Sequence, residues 1–237
     1  MGGAVAAVMG DLLVGLLCGS REVRSGPRRK MPAPAGRWNA ALTDWADLVD
    51  SARERAAEML PPFGRRWAHV QGVARRAVEL TVDLNVGDRD VVVAAAWLHD
   101  IGYAPQIARS GFHPLDGARY LRRDGFPVAV VALVAYHLGA VVEAHERGLS
   151  DELAQFPAPP ELLLRRLTAA DMTIGPTGLP VSACERIAEI LTRHPPQHPV
   201  HRAVTTSGGL LIDTANVEDA RARTRTAQHR APRSSRH

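Results

Sequence analysis

His99 and Asp100 stand side by side at the end of the apolar run Val91-Val92-Val93-Ala94-Ala95-Ala96-Trp97-Leu98, and Ile101-Gly102 follows at once. The run reads as a buried helix, and a carboxylate closing it is costly unless it is paired or bound to a cation. A neutral imidazole supplies a borderline nitrogen and the carboxylate a hard oxygen able to bridge two ions. His69, His113, His137 and Asp171 also fall in helical segments or at their edges. Each has an ordinary explanation by itself. His69 sits one position from the Trp67/Val70/Val73 face, His113 can cap the helix opened by Pro114, and His137 ends an apolar helix whose C-terminus favours a histidine. Asp171, one turn after Leu164, Leu167 and Thr168, reads alone as an exposed helix end. Together they place six ionisable groups on the core side of apolar helices, which one metal centre explains. Four imidazoles and two carboxylates can hold a pair of ions, with Asp100 bridging and positions left for water or substrate. Such mixed ligation suits Mn, Fe, Co, Zn or Mg and does not choose between them.

The elements that must carry these groups are helices. Apolar residues at 38, 42, 45, 49, 52, 56 and 59 repeat with helical period, and Pro61-Pro62 ends the run. A second helix is expected from Phe63 to Leu84, and a third, capped by Asp88, runs to the His-Asp pair. Pro114 can open a short helix to Arg123, since proline is tolerated in a first turn. An apolar helix over 128–138 follows, then a loop region over 139–159, then helices near 160–172 and 180–193. No alternating strand pattern of useful length appears. The expectation is an all-α, single helical bundle of six or seven helices over 38–195. It is flanked by a disordered basic N-terminal extension, 1–37, and a mostly irregular Arg-rich C-terminal tail, 196–237. Residues 1–36 are expected to be dispensable, with Met31 an alternative start.

Of 29 basic residues, only Lys30 is a lysine. The net charge of +4 belongs to the ends: 1–37 hold six basic residues against two acids, and 218–237 hold six arginines against two acids. The middle, 38–217, has 17 basic and 21 acidic residues, so the basic stripe of a nucleic-acid reader is missing from the expected core. Cys18 and Cys184 give neither a disulfide framework nor zinc-finger spacing. No uninterrupted run reaches the roughly 18 apolar residues of a membrane span. Ala4–Cys18 contains Asp11 and precedes its basic cluster, the wrong order for a signal peptide. A cytoplasmic setting is expected, with no membrane and no nucleic-acid partner. The apolar surplus in 128–138 permits a homodimer.

The order His69, His99-Asp100, Asp171 resembles the HD-domain superfamily of metal-dependent phosphohydrolases. Ala96-Trp97-Leu98-His99-Asp100-Ile101-Gly102 is similar to its HDIG-type motif. His113 and His137 resemble the added histidines of its six-ligand, di-metal subset. The likeness covers roughly 60–195, including Gly111-Phe112-His113-Pro114 and Ala170-Asp171-Met172-Thr173. It departs from the cyclic-dinucleotide phosphodiesterase branch at Tyr103, where that branch has lysine, and at Tyr136-His137, where it pairs histidines. The resemblance implies one ion held by His69, His99, Asp100 and Asp171, and a second held by His113 and His137 with Asp100 shared.

The implied chemistry is hydrolysis of a phosphate ester of a small metabolite or nucleotide by a metal-bound hydroxide, with His99 and Asp100 at the catalytic centre. Two divalent ions about 3.5–4 Å apart activate water and clamp phosphoryl oxygens. Neither G-x-S-x-G nor a Walker lysine motif is present, consistent with a reaction needing no protein nucleophile. Arg66 and Arg109, near the ligands in sequence, are candidate substrate-binding residues because guanidinium forks suit phosphate. The same ligand order also resembles HD-type di-iron oxygenases. A non-catalytic regulatory module with a structural metal is a third class.

Overall fold

The computed structural model of the chain describes residues 48–230, with side chains to 228. The basic extension expected over 1–37, residues 38–47 of the first expected helix, and 231–237 lie outside the described residues. Among the described residues no strand forms, only an isolated bridge between Ile174 and Pro180. The helices are α1 Leu48–Met59, α2 Arg65–Leu80, α3 Val86–Leu98, α4 His113–Arg123, α5 Val128–Tyr136, α6 Ala140–Arg147, α7 Ser150–Leu153, α8 Glu161–Met172, α9 Ala183–Arg193 and α10 Pro199–Arg230. Single 3₁₀ turns occur at Pro61–Phe63, Ile101–Tyr103 and His137–Gly139. The all-α expectation holds, with more helices than the six or seven expected.

Helix α3 is the axis. A helix apolar on all sides must be surrounded, and α1, α2, α5 and α8 pack around it. Val91 to Ala96 and Leu98 are buried. Its cap is Asn85 rather than the expected Asp88: Asn85 has extended backbone, and its side-chain oxygen accepts from the Asp88 N–H at 2.9 Å. Helix α5 is as enclosed, with Ala129 to Ala135 all buried. Most of the apolar surplus over 128–138 therefore packs inside the bundle, with Val128 left exposed. The stretch Val128–Arg147 has the length and composition of a membrane span, but 56% of its apolar window is buried in the protein. It also breaks at Leu138.

Two expected irregular regions are helical. Residues 139–159 contain α6 and α7; the glycines that suggested a loop, Gly139 and Gly148, are the left-handed residues at the two ends of α6. The expected irregular tail is corrected over 199–230, which form the long α10, with Pro199 opening it. Ala203, Val204, Ser207, Leu211, Ile212, Ala215 and Glu218 form its buried stripe against α6, α8 and α9. The stripe is interrupted by polar residues, which hides its period. Glu218, fully buried, is bound by Arg165 at 2.6 Å, Arg166 at 2.7 Å and Arg221 at 2.9 Å. A buried carboxylate is tolerable only with such partners, and they tie α10 to α8.

Candidate metal centre

Five helices deliver the six candidate ligands. His69 lies in α2, His99 and Asp100 follow α3, His113 opens α4, His137 follows α5, and Asp171 lies in the last turn of α8. Their side chains meet in the core. His69, His99 and Asp171 offer ligand atoms within 4.8 Å of one another, as do Asp100, His113 and His137. All but His113 are buried, and its side chain is only 11% exposed.

The histidines are held by the outer side of their rings. His69 Nδ1 lies 3.2 Å from the Gly175 carbonyl, His99 Nδ1 2.8 Å from that of Ala96, and His137 Nδ1 2.7 Å from that of Val134. A carbonyl only accepts, so each Nδ1 carries the proton and donates, leaving Nε2 with a lone pair in the neutral ring. Carbonyl-oriented imidazoles of this kind are characteristic of metal ligands. His69 Nε2 lies 3.1 Å from Asp171 Oδ1, and His137 Nε2 lies 3.1 Å from His113 Nε2. Buried His99 Nε2 lies 3.7 Å from Asp100 Oδ2 and has no hydrogen-bond partner among the described residues. Lone pairs turned toward a carboxylate, or buried, fit cations between them. His69, His99 and Asp171 suit one ion and His113 and His137 another, with Asp100 between the two groups.

Asp100 has a partner outside the ligand set. Arg66 Nη1 donates to its Oδ2 at 2.6 Å, while Oδ1 lies 3.4 Å from His113 Nε2. The guanidinium lies over Tyr103, 3.4 Å from the ring centroid, and the other neighbour of that ring is the stacked imidazole of His113, 4.1 Å away. Tyr103 thus holds both Arg66 and His113 against Asp100.

Two backbone features make this possible. A Cβ on Gly102 would lie 2.0 Å from the His113 carbonyl oxygen, so only glycine lets the turn after Asp100 close onto the start of α4. Leu138, in the left-handed region at φ 48° and ψ 45°, breaks the apolar helix immediately after His137. That conformation costs a non-glycine residue about 1–2 kcal/mol, and it sits beside a candidate ligand, where such strain tends to gather.

The site has the charge states that ligation requires. Burial opposes ionisation of Asp100, but the Arg66 guanidinium holds it well below the usual carboxylate range. Burial also acts against Asp171, yet its contacts with His69, His99 and Arg186 hold it far down. Burial pushes His99 and His113 below the ordinary imidazole value, His113 the further. Near neutral pH this gives ionised Asp100 and Asp171 and neutral His99 and His113, the forms that bind metal.

A cavity of about 300 Å³ opens onto the site, lined by Arg65, Arg66, Arg186 and Arg193 together with His69, Asp100 and Glu189. Arg66 therefore lies where sequence proximity suggested. Arg109 does not. Asp116 accepts its backbone N–H at 2.8 Å, and its exposed guanidinium donates to the carbonyls of Ala108 and Gln106 in its own loop. Sequence reasoning missed Arg186 and Arg193. They stand seven residues apart on α9, a spacing equally typical of a solvated helix face, so only the burial of Arg186 (6% exposed) sets it apart.

A helical bundle enclosing a buried His/Asp site compatible with divalent cations defines an all-α protein of the metal-centre class. The HD domain family model matches residues 66–174, from Arg66 through all six candidate ligands. Residues 66–174, just under half of the chain, are thus similar to an HD domain. A curated tRNA (cytidine(56)-2'-O)-methyltransferase from Thermoplasma volcanium is 37% identical over 78 residues, 33% of this chain. The matched segment spans 22% of that protein's length. No solved structure matches the chain.

Proposed function

We propose that this protein is a metal-dependent phosphohydrolase acting on a small phosphorylated metabolite or nucleotide in the cytoplasm. The observation that carries this reading is a cavity whose lining joins His69 and Asp100, one from each of two adjoining ligand groups, to four arginines. His69, His99, Asp100 and Asp171 would hold one divalent ion, and His113 and His137 a second with Asp100 shared. When bound, such a pair supplies Lewis acidity and activated water at neutral pH.

The chain's own residues account for the rest. The carbonyl-anchored histidines keep their Nε2 atoms turned inward without further side-chain reorganisation. Arg66 and Arg186, at the inner wall, supply guanidinium forks for non-bridging phosphoryl oxygens, the geometry that best matches such oxygens. Their charge favours small phosphate esters. The segment shared with the tRNA methyltransferase covers too little of that enzyme to bring methyl transfer here.

A phosphate-ester panel with added Mn²⁺, Co²⁺ or Mg²⁺ tests the reading. Hydrolysis is expected, and its loss in His99→Ala and Asp100→Ala. Protein that carries two irons, consumes O₂ with an organic substrate and hydrolyses no ester would instead be an oxygenase. Stoichiometric metal with neither activity would indicate a regulatory module.

A further inference from the structure

Helix α9 lies beyond the residues that match the family model, yet it forms one wall of the cavity. Arg186, Glu189 and Arg193 follow at i, i+3 and i+7, one face of the helix, and rise about 10 Å along its axis. The ladder starts at the ligand level, where Arg186 Nη2 lies 3.7 Å from Asp171 Oδ1 and Arg186 Nη1 donates to Glu189 at 2.5 Å. It ends at the rim, where the Arg193 side chain is 42% exposed and 3.6 Å from Glu189. Arg65, across the cavity on α2, is exposed and forms no ion pair or hydrogen bond among the described residues. Four guanidiniums thus face two lining carboxylates, Asp100 and Glu189. One phosphoryl group at the metal centre uses the inner pair, Arg66 and Arg186. The outer pair, Arg65 and Arg193, is left over at the rim.

We infer that the substrate carries a second anionic group, a carboxylate or a further phosphate, and that Arg65 and Arg193 receive it at the rim. The inference rests on the phosphohydrolase reading for the first group and assigns the second to residues of this chain's own wall. An arginine fork binds either anion in bidentate fashion. Glu189, already paired with both α9 arginines, spaces them and keeps Arg193 directed over the cavity.

The test is calorimetric binding to metal-loaded full-length protein, using phosphonates that cannot be hydrolysed. 3-Phosphonopropionate and 4-phosphonobutyrate are compared with propyl- and butylphosphonate, and alkylene bisphosphonates form a second arm. The doubly anionic compounds of at least one arm should bind about tenfold or more tightly than the alkylphosphonates, as charge-assisted hydrogen bonds allow. The tighter arm identifies the second group. In Arg65→Ala/Arg193→Ala that ratio should fall to near unity with metal content retained, while Arg109→Ala should keep it. Equal affinity of compounds with one and with two anionic groups, or a preference that survives the double substitution, overturns the inference. A preference that disappears in the double variant, in a protein that hydrolyses no ester, would support the two-anion site and remove only the hydrolase reading.

Discussion

His113 and His137 bring their Nε2 atoms to within 3.1 Å of each other, and the proton on His137 Nδ1 is committed to the Val134 carbonyl. The His137 Nε2 lone pair therefore faces another imidazole nitrogen, an arrangement that a shared cation relieves. His137→Ala should deplete the second ion and leave the first, measured by elemental analysis of protein purified without chelators. Equal loss of both ions would contradict the two-group assignment.

Asp100 lies between the two groups, 3.4 Å from His113 and 3.7 Å from His99. Asp100→Ala should abolish both ions, whereas Asp171→Ala should remove mainly the ion at His69 and His99. Anomalous diffraction from a metal-soaked crystal checks the assignment: His69, His99, Asp100 and Asp171 should each have an atom about 2.0–2.2 Å from an ion. Any of the four lying more than ~3 Å from every ion would refute it.

Gly102 and Gly209 form a matched pair. A methyl group at Gly102 meets the His113 carbonyl oxygen, whereas at Gly209 it meets nothing within 4 Å. Gly102→Ala should destabilise the protein by roughly 3 kcal/mol or more, as overpacking against backbone does, and should lower metal content by displacing His113. Gly209→Ala, inside α10, should stabilise it by about 0.5–1 kcal/mol. Denaturant unfolding of both variants reads the two signs.

The metal-free protein should be acid-labile. His99 and His113 bind protons less readily in the folded protein than the ordinary value of 6.5 describes. The unfolded chain therefore takes up protons first as pH falls, and this draws the equilibrium toward it. The contribution of the neutral imidazoles is complete above 6.5 and is lost as pH falls from there toward their depressed folded values. Asp100 and Asp171, depressed from 3.8, extend the loss in the same direction at lower pH. The Tm of chelator-treated protein should drop between about pH 7.5 and about pH 5.5; a flat or rising Tm would contradict this.

Glu218 should be essential to the docking of α10. Glu218→Ala leaves Arg166, only 3% exposed, with Asp83 as its remaining carboxylate. Breaking one side of such a buried network costs about 3–5 kcal/mol. A urea-unfolding loss below about 1 kcal/mol would mean that these pairs behave like surface ones.

The helices, their order and the six polar residues placed at their inner faces are legible in the sequence because they are local: apolar period, proline and glycine stops, and an acid or imidazole where a side chain should be apolar. The long α10 was not, because its contact stripe includes Ser207 and the buried Glu218, polar residues that become core only once Arg165 and Arg166 of α8 neutralise the charge. Arg109 shows the opposite error. Its closeness to His113 in sequence suggested the site, but Asp116 pins its backbone and leaves its guanidinium facing its own loop. What the sequence alone supplied was the candidate donor set, since burying a His-Asp pair at a helix end calls for a partner or a cation. What only the tertiary structure decided was that these side chains meet in the core and which arginines line the cavity beside them. Both depend on where α9 and the turn at Gly102 come to rest against the bundle, and packing between distant segments leaves no period in the chain.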